Sequence, residues 1–176
     1  EYLYNEILLP DSLIEIIEHY LHSFELKMPN GKKFNTFFFP RYHQRRTIIK
    51  LVKHISKNYK KNQKLDLKYL IQHSAGSGKS FTISVIQKFL RYLHVDDQPV
   101  FDSTIILTDR INLDSQLRGT ISSSESQENI IDYVETTKEL AKALNKNTKV
   151  IVTTIQKFSV TKLNEILEDQ KNKKIC

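Results

Sequence analysis

The chain has 176 residues, which is enough for one domain with a core or for one domain and an extension. Hydrophobic residues make up 39% of it and charged residues 27%, a balance typical of soluble globular domains and not of disordered chains. No apolar run approaches the length of about 18 residues that a membrane span needs. The single cysteine, Cys176, excludes a disulfide framework, so we expect a protein of the reducing cytoplasm. Because the chain begins with Glu1 and no signal-peptide pattern follows, we also expect a piece of a longer protein.

Positive charge is concentrated in one segment of the chain. Residues 26–65 contain twelve lysines and arginines and no acidic residue. The whole chain carries +7, so the remainder carries −5. Such asymmetry is typical of nucleic-acid-binding proteins. A lysine-rich face that contacts only water is the alternative, and the charge pattern alone does not decide between them.

The N-terminal part of the sequence predicts two helices. The first covers residues 12–24, because Ser12 and Glu15 form a capping-box pattern and apolar residues recur every three or four positions. The segment 29–31, Pro-Asn-Gly, predicts a turn. A second helix is predicted over residues 41–61, and one of its faces carries five basic residues, here called the basic stripe: Arg46, Lys50, Lys53, Lys57 and Lys60.

From residue 67 onwards, short apolar runs alternate with amphipathic segments. The apolar runs predict strands at 67–72, 104–108, 130–134 and 150–153. The amphipathic segments predict helices at 79–94, 111–118, 137–146 and about 160–169. The third of these helices follows a capping-box pattern, Thr136 and Glu139, and the serine-rich stretch 122–127 predicts an exposed loop. Alternating strands and helices are typical of an α/β fold with a parallel sheet covered by helices on both faces.

Two of the four glycines lie in the stretch Gly76-Ser77-Gly78-Lys79-Ser80, between a predicted strand and a predicted helix. This context is typical of a phosphate-binding loop, in which glycines let backbone N–H groups and a helix N-terminus face an anion. The ammonium group of Lys79 would reach the phosphates, and Ser80 is the predicted ligand of Mg²⁺. The full motif has a glycine where this chain has His73. A flexible linker of the same composition is the alternative, and the flanking strand and helix argue against it.

Four stretches in this order resemble the motor (R) subunit of type I restriction enzymes, which are superfamily 2 helicase-like translocases: RYHQ at 41–44, HSAGSGKS at 73–80, LTDRINLDSQL at 107–117 and VTTIQKF at 152–158. The resemblance extends over most of the chain, and the ordered set is much more specific than the phosphate loop alone. It implies a RecA-like P-loop fold. Residues 41–176 would form the first motor lobe, incomplete at its C-terminus, and residues 1–40 a helical or linker segment leading from an upstream domain.

The resemblance also implies roles for matching residues. ATP and Mg²⁺ would be held by the loop 76–80, and Gln44 would read adenine, because a carboxamide pairs with the N7 and N6 groups together. Contacts with double-stranded DNA would come from two later motifs, which contribute Asp109, Arg110, Asn112, Gln116, Thr153, Thr154 and Gln156. A plainer alternative remains for some of them. Gln44 would be an exposed polar residue, and Thr153 or Thr154 would cap a helix.

An R subunit hydrolyses ATP to translocate DNA, cleaves it, and works with methyltransferase and specificity subunits, so the resemblance implies these partners. The sequence has no Asp-Glu pair after an apolar strand, no second motor lobe and no nuclease carboxylate cluster. We therefore expect residues 1–176 alone to bind nucleotide without turning it over. Two other functions remain open: a superfamily 2 helicase or remodeller without a nuclease, and a nucleotide-binding module without catalysis.

Overall fold

The computed structural model of the chain describes residues 3–27, 31–62, 65, 67–109, 131–155 and 174–176. The first elements are a π-helical turn, Leu3–Ile7, then helix α1, Pro10–Glu15, and a second π-helical turn, Ile16–Tyr20. Proline suits the first position of α1, because its φ is already helical and its missing N–H would have no partner there. The chain therefore opens with a helical segment, as predicted.

The bounds predicted for the first helix, 12–24, are wrong. Helical structure ends at Tyr20, and the predicted capping box does not form. Ser12 and Glu15 instead accept hydrogen bonds from Nη2 of Arg45, at 3.3 and 2.5 Å. The Arg45 side chain is buried, so this charge-assisted contact ties the N-terminal segment to the helix that follows.

A β-hairpin occupies the end of the predicted first helix. Strand β1, His22–Lys27, pairs antiparallel with strand β2, Lys33–Phe38. Aromatic residues favour strands, and β2 contains an aromatic-rich run that pairs with the residues before it. The predicted turn falls between the two strands. Gly31 there has a φ of 78°, and residues 28–30 lie outside the described ranges.

Two long helices form the centre of the structure. Helix α2, Tyr42–Asn62, agrees with the predicted helix 41–61, and helix α3, Lys79–Arg91, begins at the predicted residue. They pack together and against the N-terminal segment around a buried apolar cluster: Ile7, Ile16, Tyr20, Ile48, Phe81 and Val85. None of the helices in the described part of the chain is both long and apolar enough to cross a membrane.

Helix α3 ends before the predicted residue 94, because the chain turns there into a short hairpin. Strand β3, His94–Val95, pairs with strand β4, Gln98–Pro99. The two residues between them, Asp96 and Asp97, have φ values of 50° and 61°. Two successive positive φ values are typical of a tight hairpin turn, and aspartate tolerates this conformation better than most residues.

A parallel sheet forms the rest of the described structure. Strands β5, Thr104–Thr108, β6, Ile131–Tyr133, and β7, Val150–Thr154, are arranged in the order β5-β7-β6. All pairs are parallel, and helix α4, Thr137–Asn145, connects β6 to β7. The strands agree with the predicted ones to within one residue at each end. The predicted fold class, a RecA-like α/β lobe with helices flanking a parallel sheet, is confirmed.

The predicted strand 67–72 is wrong. Residues 67–74 have no regular structure, and no described strand lies beside them. The segment runs along α2, where the hydroxyl of Tyr69 lies 2.7 Å from Nδ1 of His54, and the side chain of Leu70 is 95% exposed. A strand requires hydrogen bonds to a neighbouring strand, which an apolar composition alone does not supply.

The last described residues lie beside the sheet. Residues 174–176 run parallel to the start of β5, where the Cys176 N–H donates to the Ser103 carbonyl at 3.0 Å and the Ile105 N–H donates to the Cys176 carbonyl at 2.7 Å. The helices predicted at 111–118 and 160–169 lie outside the described residues, as does the loop predicted at 122–127.

The capping box predicted for α4 is confirmed. The Glu139 N–H donates to Oγ1 of Thr136 at 3.3 Å, and the Thr136 N–H donates to the Glu139 carboxylate at 3.1 Å. We expect Thr136→Ala to lower the free energy of unfolding by about 1 kcal/mol, because a helix N–H loses its acceptor. Urea unfolding measures this. Lys138→Ala, an exposed change in the same turn, is the control, and equal stability of the two variants would contradict the prediction.

Candidate nucleotide-binding site

The glycine loop has the backbone conformation of an anion cradle. Gly76 and Gly78 have φ values of 69° and 81°, in the left-handed region that favours glycine. Gly78 is the N-cap of α3 and makes no side-chain cap, so the first N–H groups of α3 have no capping side chain from that residue. The hydroxyl of Ser77 is buried and has no hydrogen-bond partner among the described residues. The N–H groups at a helix N-terminus suit a phosphate group.

The Lys79 side chain lies across the loop, and its contact with phosphate stays a prediction. Its Nζ donates to the Ser74 carbonyl at 2.9 Å and lies 3.4 Å from the His73 carbonyl. The side chain is exposed, and both acceptors are neutral. A phosphate oxygen is a stronger acceptor for an ammonium group than a neutral carbonyl, so an anion would compete well for Lys79.

Ser80 follows in the first turn of α3 and is half-buried. Its hydroxyl is an oxygen ligand of the kind that Mg²⁺ accepts. The described residues contain no group of three or more His, Cys, Asp or Glu side chains that would hold a metal ion. A serine beside a phosphate cradle nevertheless fits Mg²⁺, because this ion keeps several waters and binds largely through the substrate phosphates.

The first turns of α2 form the wall behind the loop. Gln44 is fully buried, and its Nε2 donates to the Ser77 carbonyl at 3.1 Å and to the Gly78 carbonyl at 3.2 Å. Its Oε1 accepts from the Arg41 N–H at 2.8 Å. The plainer alternative for Gln44, an exposed polar residue, is therefore excluded. Adenine reading by Gln44 stays a prediction.

Two histidines complete this wall, and neither of them has a role predicted from the sequence. Nε2 of His43 donates to the Ser77 carbonyl at 3.1 Å, so this ring carries its proton on Nε2 when neutral. The His73 ring stands edge-on to the His43 ring, with centroids 5.1 Å apart, and its Nε2 lies 3.5 Å from Oγ1 of Thr47. In the sequence, the position of His43 next to Gln44 was the signal that could have identified it as a residue of this site. His73, which replaces the first glycine of the motif, is thus packed between the loop and α2.

The predicted DNA-contact residues are only partly described. Asp109 follows β5 and is exposed. Thr153 and Thr154 both lie inside β7 and are buried, so this strand extends one residue beyond its predicted end at Thr153. The Thr153 hydroxyl donates to the Val134 carbonyl at 2.7 Å, so it ties β7 to the residue after β6. The other predicted contacts lie outside the described residues: Arg110, Asn112, Gln116 and Gln156.

The basic stripe lies on the outer surface of α2. All five of its residues are exposed. Arg46 lies over the Tyr42 ring at 5.4 Å from the centroid, and Lys60 lies 3.4 Å from the Asp96 carboxylate. Lys50, Lys53 and Lys57 pair with no carboxylate of the described residues. Unpaired positive charges at helical spacing suit an anionic surface better than isolated ones, because their fields add.

The fold and the site together define the class of protein. A glycine loop that leads into a helix, with lysine and serine at the helix start and a parallel α/β sheet beside it, is the nucleotide site of a P-loop nucleoside triphosphatase. The family model of the SWI2/SNF2 ATPase matches residues 43–176, which is most of the chain. The chain belongs to this family, so the helicase-like superfamily 2 part of the resemblance is confirmed and ATP is the implied nucleotide. A search of curated proteins found no match.

Proposed function

We propose that the chain is the ATP-binding first motor lobe of a type I restriction enzyme R subunit, which couples ATP hydrolysis to translocation of duplex DNA and to its cleavage. The observation that carries the proposal is the loop 76–80 at the start of α3, with Lys79 exposed above it. Membership of the SWI2/SNF2 ATPase family supports the ATP-driven motor. The four restriction-type motifs in their order support the particular enzyme. Methyltransferase and specificity subunits would be its partners.

The chemistry assigned to this lobe is binding and positioning. The loop N–H groups and Lys79 would hold the phosphates of ATP, and Ser80 would hold Mg²⁺, which neutralises charge on the β- and γ-phosphates when bound. Hydrolysis also needs a group that orients water and a second positive charge on the phosphates. We propose that other parts of the motor supply these two groups, so that residues 1–176 alone bind ATP without turnover.

A second candidate is a superfamily 2 remodeller or helicase without a nuclease, and the SWI2/SNF2 family match is compatible with it. DNA cleavage distinguishes the two. The natural protein with its partner subunits would cleave DNA in an ATP-dependent way if it is a restriction enzyme, and would move on DNA without cutting it if it is a remodeller. A nucleotide-binding module without catalysis would do neither.

The basic stripe provides a test of the DNA part of the proposal. We expect binding of double-stranded DNA to be independent of sequence and to weaken steeply with salt, because phosphate contacts release counterions. Replacing Lys50, Lys53 and Lys57 with glutamine should lower the slope of log K against log salt by about 0.9 for each DNA phosphate that the protein no longer neutralises. Fluorescence anisotropy at several salt concentrations measures the slope.

A matched control separates a local effect from a change in overall charge. Changing three exposed lysines of the α4 region to glutamine removes the same charge from another surface: Lys138, Lys142 and Lys146. This control should keep most of the wild-type slope. Equal slopes in the two triple variants would mean that the basic stripe contacts water or another protein domain and not DNA.

A further inference from the structure

We propose that Gln44 acts on the nucleotide through the loop, as a positioning residue that holds the phosphate cradle open with the help of His43. The proposal rests on the proposed function, since it requires that the loop binds phosphate. This role differs from the reading of adenine, in which Gln44 would contact the base directly. In the structure the amide of Gln44 faces two loop carbonyls and not an open surface.

Hydrogen bonding accounts for both donors of the Gln44 amide. A carboxamide has two N–H donors, and Nε2 of Gln44 lies 3.1 Å from the Ser77 carbonyl and 3.2 Å from the Gly78 carbonyl. The carboxamide oxygen accepts from the Arg41 N–H at 2.8 Å, at the start of α2. Since the side chain is also fully buried, a base would have to displace these contacts before Gln44 could read it.

The direction of these two carbonyls determines where the loop N–H groups point. In a planar trans peptide the C=O of one residue and the N–H of the next point in opposite directions, and the described chain has no cis peptide. The Ser77 and Gly78 carbonyls both accept from Gln44 on α2, so the N–H groups of Gly78 and Lys79 face the other way. The Gly78 carbonyl is also held by α3, since it accepts from the Thr82 N–H at 3.1 Å and from the Thr82 hydroxyl at 3.2 Å. Successive N–H groups turned to one side form an anion-binding nest.

His43 and the packing of Gly78 strengthen the arrangement. The Ser77 carbonyl accepts a second hydrogen bond from Nε2 of His43 at 3.1 Å, so two donors from α2 fix one peptide group. A Cβ built on Gly78 would lie 2.5 Å from Nε2 of Gln44, which shows that amide and loop are in close contact. The loop therefore depends on α2 for its shape, although the two are more than thirty residues apart in the chain.

The test measures binding of ATP, GTP and inorganic tripolyphosphate, each with Mg²⁺, by calorimetric titration. Tripolyphosphate has no base, so it reports on the cradle alone. We expect Gln44→Met to weaken ATP and tripolyphosphate by the same factor, about tenfold, because the cradle loses two hydrogen bonds that orient it. His43→Phe removes one donor and keeps a ring, so we expect a smaller loss that is again equal for both ligands.

Gln87→Met is the matched control. Gln87 lies on α3, is also fully buried, and its amide has no hydrogen-bond partner among the described residues. We expect it to leave both affinities unchanged. If Gln44→Met does not fold, as judged by thermal melting, His43→Phe carries the test, since His43 is only half-buried.

Each outcome of these titrations supports or overturns the positioning role of Gln44 or the proposed function. Unchanged tripolyphosphate binding in Gln44→Met, or in His43→Phe if only that variant folds, would overturn the proposal. Loss of the preference for ATP over GTP at constant tripolyphosphate affinity would assign Gln44 to the base instead. Wild-type protein that binds neither ATP nor tripolyphosphate would overturn the proposed function, and the positioning role with it. Wild-type binding of ATP that Lys79→Ala weakens by about tenfold or more supports the proposed function, whatever the effect of Gln44→Met.

Discussion

Lys79→Ala should bind ATP about tenfold to 100-fold more weakly and keep its melting temperature. Among the described residues the ammonium group contacts the carbonyls of Ser74 and His73, and it is exposed, so the fold loses little when it is removed. A positive charge in the first turn of a helix is unfavourable with respect to the helix dipole, so its removal is neutral or slightly stabilising. A charge-assisted hydrogen bond contributes about 1.5–3 kcal/mol, which corresponds to a loss of about tenfold to 100-fold in affinity.

The control for this prediction is Lys142→Ala, which removes an exposed lysine from α4. It should bind ATP as the wild type does. Wild-type ATP affinity in Lys79→Ala by calorimetric titration would defeat the assignment of the loop 76–80 as a phosphate cradle. A lowered melting temperature together with a loss of binding would instead show that Lys79 supports the fold, which its exposed position argues against.

Gly78→Ala should be more destabilising than Gly76→Ala, although the two glycines have similar φ values. A side chain in the left-handed region costs about 1–2 kcal/mol, and this cost applies to both. The Cβ at position 76 would meet nothing within 4 Å, whereas at position 78 it would lie 2.5 Å from Nε2 of Gln44. We expect Gly78→Ala to lower the free energy of unfolding by about 1–3 kcal/mol more than Gly76→Ala does, because the buried amide of Gln44 must move.

Urea unfolding of the two variants measures the difference, and combining Gly78→Ala with Gln44→Ala identifies its origin. If the contact with Gln44 causes the extra cost, the double variant should be more stable than the sum of the single effects implies. Strictly additive effects, or equal costs for the two glycine variants, would show that the loop moves away from Gln44 freely. Tripolyphosphate binding should fall in Gly78→Ala, since the displaced amide no longer holds the loop carbonyls.

Elements with strong local signals could be predicted from the sequence. The amphipathic spacing of α2 and the capping box of α4 act within one or two turns, so the residues that decide them are neighbours in the chain. The apolar runs of β5 and β7 also predicted strands, and β7, the central strand of the described sheet, is buried along its whole length. The glycine loop belongs to this group, since positive φ values at Gly76 and Gly78 are a local property of glycine.

Elements that depend on partners elsewhere in the chain could not be predicted. Ser12 and Glu15 have a capping pattern, but Arg45 binds both of them in the fold. Residues 67–72 have a strand composition, but no described strand lies beside them. In both cases the local signal was correct about propensity, and a tertiary contact or its absence determined the structure.

The sequence by itself determined the class of the site and the helix that follows its loop, because loop spelling and helix spacing act over short distances. Only the tertiary structure decided what the site residues touch. Gln44 and His43 meet the loop across more than thirty residues of chain, and Thr153 finds its acceptor in the residue after another strand. Hydrogen bonds of this kind leave no periodic pattern in the sequence, because the folded chain, and not the spacing of the residues along it, brings the partners together.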